Sequence, residues 1–162
     1  ADSDMVFYAY RGGHYIGASR NFSTAVSMAY GQMGFVTDGN QHIVWDRINR
    51  RNIRTIKSPV DEARKVTKYL DSFTGSNMYE DGLILIDADG CSLSQVLYYI
   101  DKGIPVIAYV ETGQYVLLSG YDQYNVTIYD PQTQETRKMG LGDATEYFNN
   151  LQNDFLCALS VN

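Results

Sequence analysis

The chain is short of the residues that fix a small protein's architecture by covalent or metal chemistry. Of its 162 residues two are cysteine, Cys91 and Cys157, and two are histidine, His14 and His42. Two cysteines make no disulfide framework, and neither histidine has a partner at His-x3-His or Cys-x2-Cys spacing. A zinc site is not expected, and no motif calls for a cofactor. Gly12-Gly13 and "GLGD" (140–143) lack the Lys-Ser/Thr of a phosphate loop. "DADG" (87–90) fails as a calcium loop, because a sixth-position Gly90 puts Leu85 where an Asp is required. Proline is scarce at three residues, which argues against a disordered chain. No apolar run reaches the ~18 residues of a membrane span, so direct membrane insertion is not expected. Positive charge is in deficit, 13 Lys and Arg against 19 Asp and Glu, and the net charge of −6 disfavours nucleic acid as a partner. "ADSDM" reads as a trimmed end of a longer parent rather than a cleavable signal.

What is present is an ordinary globular composition, 44% hydrophobic, with an excess of tyrosine: 14 residues against 6 Phe and 1 Trp. The length suits one domain with two lobes. "MVFYAY" (5–10) reads as a strand. "NFSTAVSMAY" places Phe22, Ala25, Val26 and Ala29 at helical spacing behind an Asn21 cap. "GFVTDGNQHIVWDR" reads as a hairpin turning at Asp38-Gly39-Asn40. Residues 1–57 thus form a βαββ lobe. The run "RINRRNIRTIK" (47–57) ends it, basic throughout and able to dock an acidic partner through Arg50 and Arg54. The commoner reading is a solvated run that pairs internally with residues such as Asp61 and Glu62.

Residues 58–162 read as a larger α+β lobe. Ser58-Pro59 opens a helix, and "GLILID" (82–87) is a short buried strand. Ser92 and Gln95 have capping-box spacing ahead of a helix with Leu93, Val96, Leu97 and Ile100 on its apolar face. Gly103 stops that helix and Pro105 prevents its continuation. The strands "IPVIAYV", "QYVLLSGYD" and "NVTIYDP" follow on short links, so they are antiparallel neighbours. "DATEYFNNL" repeats the capping-box spacing with Asp143 and Glu146, and "DFLCALSV" is a last strand.

The order of these motifs carries a resemblance. A helix running into Gly103-Ile104-Pro105-Val106-Ile107, a strand opening Gly113-Gln114, and a strand ending Asp130-Pro131 resemble the C-terminal half of papain-like cysteine peptidases of the bacteriocin-processing type. The resemblance covers about residues 58–162. It implies an α+β, papain-like antiparallel sheet with packed helices. In that family the strand opens Gly-His and the His is the base; here the position is Gln114. The Asp that orients the His matches Asp130. The nucleophilic Cys stands upstream at a helix start in a Cys-Gly-Pro context, and no Cys precedes residue 91. An amide cannot become a cation, raise a thiolate fraction or protonate a leaving amine. The resemblance thus implies the fold and argues against the activity. The overall pattern also resembles clostridial surface proteins, which implies an extracellular or cell-surface location.

Two functional readings follow. In the first, the chain is a non-catalytic binding or structural module of a larger bacterial surface protein. Its cleft near Gln114, Tyr115 and Asp130, walled by Tyr98, Tyr99 and Tyr121, would hold a peptide or cell-wall glycan. In the second, it is an active cysteine hydrolase or amidase using Cys91 with His14 or His42. Cys91 stands just before a helix start, where the dipole lowers a thiol pKa. The competing reading makes Cys91 a buried staple against Val96, and Cys157 a core residue among Phe155, Leu156 and Leu159.

Overall fold

The computed structural model describes residues 5–47, 54–55, 78–80, 83–111 and 113–160. The helix expected from Ser58 and most of the basic run, Arg50 included, lie outside the described residues.

The N-terminal unit opens with a hairpin of β1 (Phe7–Arg11) and β2 (His14–Ser19). Gly12 and Gly13 take φ of 60° and 81°, the left-handed pair that a two-residue turn needs and that glycine adopts without strain. Helix α1 (Phe22–Ala29) follows, its first turn closed by Asn21 Oδ1, which accepts from the Thr24 N–H at 3.0 Å. It buries Phe22, Ala25, Val26 and Ala29, the predicted stripe. β3 (Phe35–Thr37) and β4 (Ile43–Asp46) form the predicted hairpin. The sheet order is β2-β1-β3-β4. The expected βαββ unit is therefore ββαββ, and His14 opens β2.

The second sheet contains β5 (Arg54–Thr55), β6 (Met78–Glu80), β7 (Leu83–Asp87), β8 (Val106–Glu111), β9 (Gln114–Tyr121), β10 (Asn125–Asp130), β11 (Glu135–Gly140) and β12 (Phe155–Ser160). Its order is β11-β10-β9-β8-β12-β7-β6, with β5 paired to β9 off this path. Every described pairing in both sheets is antiparallel. β11 is an addition to the sequence reading. Helix α3 (Leu141–Asn150) also departs from it: the chain passes from β11 straight into the helix at Gly140. The Leu141 N–H is held by the Tyr124 carbonyl at 2.8 Å. Asp143 consequently sits inside the first turn and makes no side-chain cap.

Helix α2 (Leu93–Asp101) joins the two sheets. Its capping box is formed: Ser92 Oγ accepts from the Gln95 N–H at 3.3 Å, and Gln95 Oε1 accepts from the Ser92 N–H at 2.8 Å. Gly103, at φ 81°, ends it. Leu93, Val96, Leu97 and Ile100 are buried as predicted, but so are Tyr98 and Tyr99. Tyr99 donates its hydroxyl to the Val44 carbonyl at 2.8 Å, and Trp45 Nε1 donates to the Gln95 carbonyl at 2.7 Å. No residue of α2 is exposed, Ser94, Gln95 and Asp101 included, which is the setting of a helix packed between layers. Phe7, Phe22, Trp45, Tyr99, Val116, Phe148 and Phe155 belong to one continuous core. The opposite face of the large sheet carries a smaller buried cluster, Ile107, Leu117, Tyr129 and Leu156.

Candidate functional site

The antiparallel order collects at one end of the large sheet the last residues of β7, β8 and β10 and the first residues of β9 and β12. The start of α2 follows β7 there. Gln114 opens β9, exposed, and pairs across the hairpin with Glu111. Tyr129 pairs with Leu117, so Asp130 lies one step further along β10 toward the end where Gln114 stands. Asp130 is engaged in the turn it begins. Its Oδ1 accepts from the Gln132 N–H at 2.9 Å, and its carbonyl accepts from the Gln134 N–H at 2.8 Å. Tyr115 is half-buried on the opposite face, with its ring 6.2 Å from that of Tyr109.

A cleft of about 290 Å³ opens beside Gln114, lined by Tyr109, Val110, Glu111, Gly113, Leu151 and Asp154. It lies between the β8–β9 hairpin and the turn from α3 into β12. The Tyr109 N–H is held by the Asp154 carbonyl at 3.0 Å, which fixes one wall to the other. In the same turn Asn153 Oδ1 is buried without a hydrogen-bond partner. The loop leading from β7 to α2 is tied to this turn as well. The Ala88 N–H is held by the Phe155 carbonyl at 3.0 Å and the Gly90 N–H by the Asn153 carbonyl at 3.1 Å. Those bonds bring Asp87, Asp89 and Asp154 together. Partial burial, then a hydrogen bond with Asp154 and the charge of Asp87, push the Asp89 carboxyl up to about 8.

The structure does not place Tyr98, Tyr99 or Tyr121 along this cleft. All three are core residues, 3%, 0% and 2% exposed. Tyr121 donates its hydroxyl to Asp101 at 3.0 Å, and Tyr98 lies between the Trp45 ring and the Lys102 ammonium. They brace α2 and cannot serve as walls. Their burial follows from the position of α2 between two sheets, whereas a one-sided helix would have left Tyr98 and Tyr99 outward.

Neither thiol has the setting of a nucleophile. Cys91 is 1% exposed, in the same core cluster as Val96, and Cys157 is fully buried. Burial pushes the Cys91 thiol up to about 12, and the charges of Asp87 and Asp89 add to it. Burial likewise holds the Cys157 thiol well above its ordinary value. The helix-start effect on Cys91 is outweighed by loss of solvent. The histidines are engaged elsewhere. His42 Nδ1 lies 3.2 Å from Asp38 Oδ2, and Asp38 Oδ1 also accepts the N–H groups of Asn40 and His42. His14 is exposed and pairs across its turn with Arg11. Among the described residues, no group of three His, Cys, Asp or Glu side chains could hold a metal ion, and no helix is long and apolar enough to cross a membrane.

A family model described as the Peptidase C39 like family matches residues 23–154. The chain belongs to that family. No curated protein and no solved structure gives a significant match. The match begins inside α1, so the Peptidase C39-like segment extends well before residue 58 and takes in most of the ββαββ unit. With the antiparallel sheets and packed helices, it makes this an α+β, papain-like peptidase-related domain. Of the helix starts described upstream of β9, α1 opens on Asn21 and α2 on the buried Cys91 with Ser92. The cleft residues Glu111, Asp154 and Tyr109, and Asp89 beside them, were missed from the sequence. Each is separately unremarkable there; only the strand order brings them to one end.

Proposed function

We propose that this Peptidase C39-like domain is a non-catalytic module that binds an extended peptide at the cleft beside Gln114. The observation that carries the reading is Gln114 itself, exposed at the head of β9 where the resembled peptidases place their base. The high thiol pKa and burial of Cys91 support it, as does the amide of Asn21 at the start of α1. With an amide at the base position and no accessible thiol described, proton transfer and nucleophilic attack have no evident carriers. Binding needs neither. The cleft offers Glu111 and Asp154 as acceptors for peptide N–H groups or amines. A place on the bacterial cell surface, within a larger protein, fits this role.

The test is to titrate a pool of synthetic octapeptides into isotope-labelled protein, following amide shifts and analysing the peptides by mass spectrometry. Intact peptides and shifts confined to residues 109–115 and 151–154 are expected, weakened by Gln114→Ala. Cleavage lost on Cys91→Ser would instead establish the hydrolase. Cell-wall oligosaccharides moving those amides while peptides do not would change the ligand class, and silence with both would dispose of the cleft.

A further inference from the structure

Four of the five most exposed large hydrophobic side chains among the described residues lie on the small ββαββ unit: Tyr15 at 57%, Ile16 at 40%, Met33 at 72% and Ile43 at 50%. Tyr15 and Ile16 are on β2, an edge of the described four-stranded sheet. Met33 follows Gln32, whose carbonyl holds the Gly12 N–H at 2.9 Å, so it belongs to the same corner. From Tyr15 an aromatic row crosses the sheet: Tyr15 to Tyr10 at 5.6 Å, then Tyr10 stacked on Phe35 at 4.7 Å.

Edge strands are normally blunted with charge. The edge strand β11 is, with Glu135, Arg137 and Lys138 in its six residues. β2, "HYIGAS", has no Asp, Glu, Lys or Arg, and every residue from His14 to Ile16 is exposed. Exposed cations stand at its two ends instead, Arg11 across the turn from His14 and Arg20 just after Ser19.

We infer that the edge of β2 takes an extended acidic peptide as an added strand. The peptide backbone would pair with the outward N–H and carbonyl groups of β2. Alternate side chains would lie on the Tyr15–Tyr10–Phe35 row, and acidic residues at the two ends would meet Arg11 and Arg20. Six residues of β2 span about 20 Å, enough for both ends to be reached by one six-residue segment. This surface is separate from the cleft at Gln114 and stands without it.

The probe is a fluorescein-labelled Glu-Val-Thr-Val-Thr-Glu peptide, with a control in which both Glu are Lys. Anisotropy should show the Glu probe binding about tenfold more tightly than the Lys probe at low salt, with the difference shrinking as salt rises. Hydrogen exchange at amides 14–19 should slow on addition of the Glu probe. Ile16→Lys should abolish binding with the circular dichroism spectrum unchanged, and Arg11→Glu should narrow or reverse the preference without touching the apolar edge. Equal binding of both probes, unchanged exchange at 14–19, or no binding at all would overturn the inference. So would concentration-dependent self-association that blocks the probe, since the edge would then belong to a second copy.

Discussion

At the scale of single residues, the informative feature is a carboxyl that keeps its proton. Asp89 stands with Asp87 and Asp154, and among the described residues no cation is one of the groups acting on it. Its folded value of about 8 lies above the ordinary 3.8. The sign follows: below about pH 4 both folded and unfolded forms hold the proton, so stability is highest there with respect to this group. As pH rises toward 8 the unfolded chain releases the proton and the folded chain does not, so stability falls; above about 8 the loss is complete. Urea midpoints at about pH 5 and pH 8.5 should therefore differ, and the difference should shrink in Asp89→Asn. An unchanged pH dependence in that variant would remove Asp89 from the account. Nothing in "DADG" announces this. Asp154 is 65 positions away in sequence, and only the pairing of β12 with β7 and β8 brings it near.

At the scale of elements, legibility tracked burial. α1, α2, β7, β8, β9 and β10 carry apolar residues at helical or strand period, and the sequence located them to within a few residues. Ser92 and Gln95 declared the start of α2 before any packing was known. β11 has no such signal: from Glu135 to Lys138 every residue is exposed, so no alternation is imposed on it. β2 had a signal that the reading passed over, the Gly12-Gly13 pair between two strand-like runs. α2 departs from expectation only in Tyr98 and Tyr99, which lie off its predicted apolar face and are buried as well. Its tyrosine hydroxyl gives a direct check. Tyr99→Phe removes the donor to the Val44 carbonyl in a fully buried setting and should cost about 1–3 kcal/mol in chemical denaturation. A neutral effect would mean that Val44 finds another donor.

At the scale of the whole molecule, the two sheets share one core. Phe7 and Val36 from the small sheet, Leu97 and Tyr99 from α2, and Leu118 and Phe155 from the large sheet are all in the same buried cluster. The two lobes read from the sequence are thus layers around a common helix. Thermal unfolding should be a single transition with calorimetric and van't Hoff enthalpies in agreement. Trp45→Ala, about 3–5 kcal/mol less stable, should lower that transition as a whole. Two separated transitions, with only one moved by Trp45→Ala, would mean that the two sheets unfold independently. The site shares this logic: Gln114 and Asp130 were visible as motif positions, whereas the acids of the cleft became neighbours only through strand order.

The burial of both cysteines has a consequence for how the chain matures. Cys91 and Cys157 sit in one core and are withdrawn from solvent once it forms. In an oxidising compartment, the chain before folding is the form whose sulfurs an oxidant reaches freely. Folding and sulfur oxidation are then in a race, and the native core is the shelter that ends it. A chain that folds late would carry the wrong covalent bond into a space shaped for two free thiols. Speed of folding, more than stability once folded, would decide the yield of good protein.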